Sequence, residues 1–367
     1  MVSSRQFYII FAISTISMKM QKLPCLIAAS VGKDAWLIYF PYALINVIGL
    51  VLAFFIIKQF RSKNVKTYQN KTKNNIFGLI LNLLIAFYFF MQALLFYEHI
   101  QALFANTLFD NLSWAFFGTL LLFCVFFLSH SGLKNIARNF DLFVWLIILP
   151  LFLIAALGIG FVDFSAILPL ETANFNKILA NLRLFDCWFG DFFFALFLGM
   201  HCKDAKLSKT ILVYLGGIVF LSFMTIELVG ICGTYAAIEP GLISVLSEPS
   251  MLGLNLGRLD WFLILFAEIG AIFSCSVCLF FSTSSAKQVF DKINPNLIEF
   301  FTAIIFYYFD VFFFVDVNAK KNFFCGVMGY LSPVIVIFVL VCFLIEIWFC
   351  KIYHKNNQKL LKNGAKT

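Results

Sequence analysis

Lys19 and Lys22, three residues apart and so on one helix face, stand inside an otherwise apolar stretch of this 367-residue chain, and Glu98, Asp191, Glu227 and Glu268 stand inside others. Each costs about 2.5–3.5 kcal/mol to place near the middle of a membrane helix, so the set is expected to pair internally. Counted inward from the outer end of each stretch at about 1.5 Å per residue, Lys22 and the four acids fall in one layer, about 8–14 Å below the outer boundary. Such a layer reads as a polar centre reached from outside, in which an ammonium from Lys19 or Lys22 pairs with Glu98, Asp191 or Glu268 and serves as a built-in cation. Glu227 is a further buried charge that could couple protons to a conformational change. Ser14, Thr15 and Ser17, just ahead of the lysines, offer adaptable hydrogen bonds, and Gly190 precedes Asp191. These residues make a candidate binding site.

The elements that position them follow from composition. At 62% hydrophobic and 13% charged, with mean hydropathy +0.93, the chain lies far from soluble proteins, which are about 45–50% apolar and about 25% charged. It is an integral membrane protein. Apolar runs of membrane-spanning length are centred near Ile16, Ile48, Ala86, Leu120, Leu151, Phe194, Phe223, Ile272, Phe306 and Ile337, and alternating strand patterns are absent, which predicts an all-α bundle of about ten spans. The lysines interrupt the first run and no A-x-A-like cleavage site follows before Gly32, so it reads as a retained helix and not a signal peptide. Nineteen of the 27 Lys and Arg residues fall on one side of this arrangement against six on the other, which places both termini in the cytoplasm. The net charge of +8 is then topological bias beside an anionic leaflet; a nucleic-acid partner is not expected.

Two spans are irregular. Pro24 lacks the amide that would continue the first helix, which is expected to break there. "NFNKILANLRLF" (174–185) reads as an amphipathic surface helix, leaving "DCWFGDFFFALFLGMHC" as the sixth span, with Gly190 and Asp191 near its start. Interruptions at corresponding places in two five-span halves predict a 5+5 inverted repeat with a midplane site. The halves are read as about 5–162 and 174–353, within one transmembrane domain (1–353) followed by a short basic tail, 354–367.

Other features read as structural. Cys275 and Cys278 form a C-x-x-C without a second pair, inside an apolar helix, a poor zinc site. Neither a metal nor a cofactor is expected. The fifty phenylalanines suit core and lipid-facing surface, and the histidines sit mostly at span ends. No hydrolase elbow, P-loop or zincin motif occurs, so no enzyme is predicted.

"SSRQFYIIFAISTISMKMQKLPCLIAASVGKDAWL" resembles the opening of the spore germination permeases, the B subunits of nutrient germinant receptors, through Gln6, Leu23, Pro24, Gly32, Asp34 and Trp36. "GLKNIARNFDLFVWLIILPLFL" with Arg138, "VDFSAILPLETANFNKIL" with Leu168 and Pro169, and "LGRLDWFLILFAEIGAIF" with Arg258 and Asp260 are similar to later family segments in the same order. The resemblance implies the amino acid, polyamine and organocation transporter fold, with helices 1 and 6 unwound and helices 3 and 8 completing the site. It further implies an amino acid or similar ligand, a larger membrane subunit and a lipoprotein as partners, and residence in the inner spore membrane or cell membrane. The family commonly has small residues where Met18, Lys19 and Met20 stand here. Two functions fit: a germinant-sensing receptor subunit, or an autonomous proton-coupled transporter of amino acids or amines.

Overall fold

The computed structural model describes residues 2–20, 22–61, 76–107, 114–167, 175–182, 190–202, 204–233, 259–309, 311 and 322–364. All ten expected span centres fall within helices: α1 (Ser4–Met20) and α2 (Leu23–Val31), α3 (Tyr39–Phe60), α4 (Ile76–Thr107), α5 (Trp114–His130), α6 (Leu133–Gly158), then, after the short α7 (Phe175–Asn181), α8 (Asp191–Met200), α9 (Leu207–Cys232), α10 (Leu259–Val289), α11 (Pro295–Tyr308) and α12 (Gly329–Gly364). Among the described residues six helical stretches are long and apolar enough to cross a membrane unaided, and Gly118–His130 and Asp191–Met200 are shorter apolar helices. The bundle is all-α; the one extended pairing among the described residues is a bridge between Val2 and Cys202.

The first span is broken where its sequence says it should be. A reciprocal capping box starts α1: the Ser3 amide donates to Gln6 Oε1 at 3.1 Å and the Gln6 amide to Ser3 Oγ at 3.3 Å. That gives Gln6, one of the residues carrying the family resemblance, a local reason to be there. The helix stops at Met20, and α2 restarts with Pro24 in its first turn, where a missing amide costs nothing. Gly32 ends α2 at φ 83°, a conformation that residues with a Cβ rarely adopt. The second break is framed by α7 and α8. In α7, Ile178 is buried and Asn176, Lys177, Leu179 and Ala180 are exposed, as expected of a surface helix. Arg183, Leu168, Pro169 and Arg258 lie outside the described residues.

The third span of each half is a long one. α4 and α10, with 32 and 31 residues, are about 47–48 Å long at 1.5 Å per residue, longer than the about 30 Å of hydrocarbon they cross. They pack along their length through small polar residues: Cys275 donates to the Ala93 carbonyl at 3.2 Å and Ser282 to the Ala86 carbonyl at 2.8 Å. Cys275 and Cys278 are thus packing residues, both buried. α8 is held against this scaffold by rings: Phe89 sits 5.6 Å from Phe193, 5.1 Å from Phe197 and 5.1 Å from Phe281. Other phenylalanines face outward, Phe127 at 79% exposure being the extreme.

Candidate functional site

The two breaks meet. Lys19 lies in the last turn of α1 and Asp191 in the first turn of α8, so each charge stands at the helix end whose dipole favours it. The Lys19 ammonium is 2.6 Å from both Oδ1 and Oδ2 of Asp191, with side-chain exposures of 0% and 7%. Tyr42 on α3 donates to Asp191 Oδ2 at 2.9 Å, and its ring centroid lies 5.9 Å from Lys19 Nζ. Asn46, one turn on, donates to the Tyr42 carbonyl. Tyr214 on α9 is a second buried phenol within electrostatic reach of the carboxylate. A buried pair holds together only when its remaining lone pairs and protons are satisfied, and Tyr42 supplies that to Asp191.

Gly190 makes the approach possible. A Cβ there would meet Tyr88 Oη at 2.3 Å and Phe193 Cβ at 2.9 Å. Beside the pair is a cavity of about 20 Å³, lined by Ser14, Tyr88, Gln92, Gly190, Asp191 and Phe194 among others. That is room for about one water. A molecule the size of an amino acid enters only if the aromatic wall moves. Ser14 hydrogen-bonds Ser274 of α10 at 2.8 Å, and Ser274 donates on to the Gly270 carbonyl, which ties α1 to the scaffold beside the cavity. Thr15 is buried, and the buried Ser17 hydroxyl lies beside Gly270 of α10 with no hydrogen-bond partner among the described residues.

Of the charges expected in the polar centre, the structure pairs two. Lys19, and not Lys22, pairs with Asp191; Lys22 precedes α2, half-buried, with no ion pair among the described residues. Glu98 is buried in α4 and Glu268 in α10. Glu227 stands apart on α9, its carboxyl packed against Gly158 at the end of α6 and making no hydrogen bond. Tyr42, Tyr88, Gln92, Phe194 and Ser274 were not anticipated as part of this site. Their signal was weak: a search for charge inside apolar runs passes over uncharged polar tips such as Gln92.

Nothing among curated proteins matches the chain. Among solved structures, MhsT in complex with L-phenylalanine superposes with a TM-score of 0.62 at 17% identity, over 91% of this chain and 88% of that one. A mutant manganese transporter from Eremococcus coleocola superposes with a TM-score of 0.53 at 14% identity, over 93% and 78%. At these identities the likeness establishes the fold: a transporter-like bundle of two inverted five-span halves with helices 1 and 6 broken. The family described as "Spore germination protein" matches residues 1–316, and by that match, spanning most of its length, the chain belongs to the spore germination protein family.

Proposed function

We propose that this protein is the membrane subunit of a germinant receptor, which binds a small nutrient, an amino acid or close relative, between its two broken helices and passes the change to neighbouring subunits. The observation that carries this reading is the Lys19–Asp191 pair bridging the two breaks. A zwitterion offers its carboxylate to Lys19 and its amino group to Asp191, exchanging one internal pair for two external ones. The ligand thereby binds the separated arrangement of α1 and α8 better than the paired one, the differential that any ligand-driven shift requires. In this reading Ser14 and Gly190, which line the cavity beside the pair, contribute to the site with Thr15 and Ser17, Glu98 and Glu268 are further buried acids available to it, and Lys22 stands at the break as a second cation. MhsT, of the same fold, is solved with an amino acid bound. Partners in this reading are a large membrane subunit and a lipoprotein in the inner spore membrane.

The likeness to a manganese transporter and the uncompensated Glu227 favour a second reading, an autonomous secondary transporter coupled to protons. One experiment separates them: binding and uptake of a labelled amino-acid panel by the purified protein in proteoliposomes, with and without a pH gradient. Saturable binding without accumulation is expected. Gradient-driven accumulation makes the protein a transporter, and absence of binding across the panel removes the amino-acid reading.

A further inference from the structure

At the end of the bundle where α1 and α9 begin, Arg5, Lys209, Ser4, Tyr8, Ile9 and Trp145 line a groove of about 450 Å³. Its rim is cationic and its wall apolar. Arg5 is 75% exposed on its side chain, with one edge 3.5 Å from Asp141 of α6. Lys209 stands exposed in the first turn of α9. Trp145, at 73% exposure, lies one turn beyond Asp141, the last charged residue of α6, which is the depth at which Trp marks a membrane–water interface. From the groove an outward apolar stripe continues along α6 through Leu142, Trp145, Leu149 and Phe152, all exposed and three or four residues apart.

We propose that this groove binds an anionic phospholipid, its phosphate between Arg5 and Lys209 and an acyl chain along the α6 stripe. A guanidinium grips a phosphate through two parallel N–H···O contacts and an ammonium adds a point charge. The stripe gives the occupant a hydrocarbon tail, which an acidic protein segment or free phosphate lacks. A second groove of about 440 Å³ carries Lys58 and Arg61 over Val51, Phe54 and Phe55, but its Arg61 already donates to the carbonyls of Gly199 and Cys202, leaving one cation for a phosphate.

Trp145 is the reporter. The full chain is reconstituted in phosphatidylcholine vesicles carrying equal mole fractions of brominated phosphatidylglycerol or brominated phosphatidylcholine, and the quenching due to Trp145 is taken by difference from Trp145→Phe. Two cations near the surface favour the anionic lipid by roughly an order of magnitude, so it is expected to quench Trp145 several-fold more strongly. In Arg5→Gln/Lys209→Gln the two lipids are expected to quench alike. Equal quenching in the unmodified protein, or a preference that survives the double substitution, overturns the proposal. Should the double variant fail to fold, Asp141→Asn serves: it removes the carboxylate competing for Arg5 and must raise the preference for phosphatidylglycerol, and an unchanged or lowered preference overturns the proposal equally.

Discussion

The Lys19–Asp191 pair is the residue-scale feature that most constrains function, and a cycle of substitutions tests it. Removing one partner leaves a buried charge uncompensated, at about 3–5 kcal/mol, whereas replacing both with apolar residues of similar volume is close to neutral. Lys19→Met and Asp191→Leu should therefore each lower the detergent-solubilised melting temperature steeply, and the double variant should recover most of the loss. Additive losses would mean that the two do not act as a pair. The recovered double variant should still fail to bind an amino acid, because it lacks both groups that a zwitterion would exchange with, and retained binding would move the site elsewhere. Gly190→Ala belongs to the same test. Its Cβ has no place beside Tyr88 and Phe193, so the start of α8 must shift and carry Asp191 with it; ligand response is expected to fall more than membrane abundance.

At the scale of elements, a stiff part and a movable part can be told apart. α4 and α10 are bound by side-chain-to-carbonyl bonds along their length, while α1 and α8 are short segments that end in the middle of the bundle. At their other ends they are tied together: the Val2 amide donates to the His201 carbonyl at 3.1 Å, the Lys206 amide donates to Tyr8 Oη at 2.8 Å, and Arg61 donates to the Gly199 carbonyl at 2.8 Å and to that of Cys202. Any change relayed from the Lys19–Asp191 pair has to strain or release this clamp. A hydrogen bond from a charged donor contributes about 1.5–3 kcal/mol, and 1.4 kcal/mol is a factor of ten, so Arg61→Met should raise the thiol-reagent labelling rate of the buried Cys202 about tenfold or more. Cys275, inside the α4–α10 contact, is the internal control. Equal labelling of Cys202 in both proteins would show that Arg61 does not hold the clamp.

The breaks were legible in sequence because each has a local signal: Pro24 cannot donate an amide, and Gly190 and Asp191 follow a stretch that reads as a surface helix. Rise per residue is fixed, so sequence also yields an expected depth for each charge. Direction around the helix axis was not legible. Lys19 and Lys22 share a face of a continuous helix, but the chain stops being helical at Met20 and Lys22 enters a new segment with its own orientation. Nor could depth tell Asp191 from Glu98 and Glu268, because the choice among acids is made by the way α1 and α8 cross, held by rings from α4 and α10 that leave no pairwise signature in one sequence.

For the molecule as a whole, orientation decides whether the clamp or the turn after α6 faces the outside, and so from which side a ligand of the proposed kind would come. α6 alone can report it. It begins beside the exposed Lys134 and is followed by a turn in which the Asp163 carboxylate accepts from the Ser165 amide at 2.9 Å; the Ser165 hydroxyl and amide hold that carboxyl below its usual range. The turn therefore keeps its charge and its order at neutral pH, and Ser165 is exposed. Cysteines introduced singly at positions 134 and 165 stand at opposite ends of one continuous helix and so must label from opposite sides. With both termini in the cytoplasm, as the excess of Lys and Arg predicts, position 134, the Arg61 clamp and the Arg5–Lys209 groove would all lie on the cytoplasmic side. In intact cells an impermeant thiol reagent should then modify Ser165→Cys and reach Lys134→Cys only after permeabilisation, read at the level of individual peptides so that the native thiols do not interfere. The reverse pattern would turn the molecule over, expose the clamp to the nutrient side and set the proposed lipid groove in the outer leaflet. The expected pattern instead puts the Arg61 clamp at the cytoplasmic end of the bundle, so that a change at the Lys19–Asp191 pair would be felt on that side.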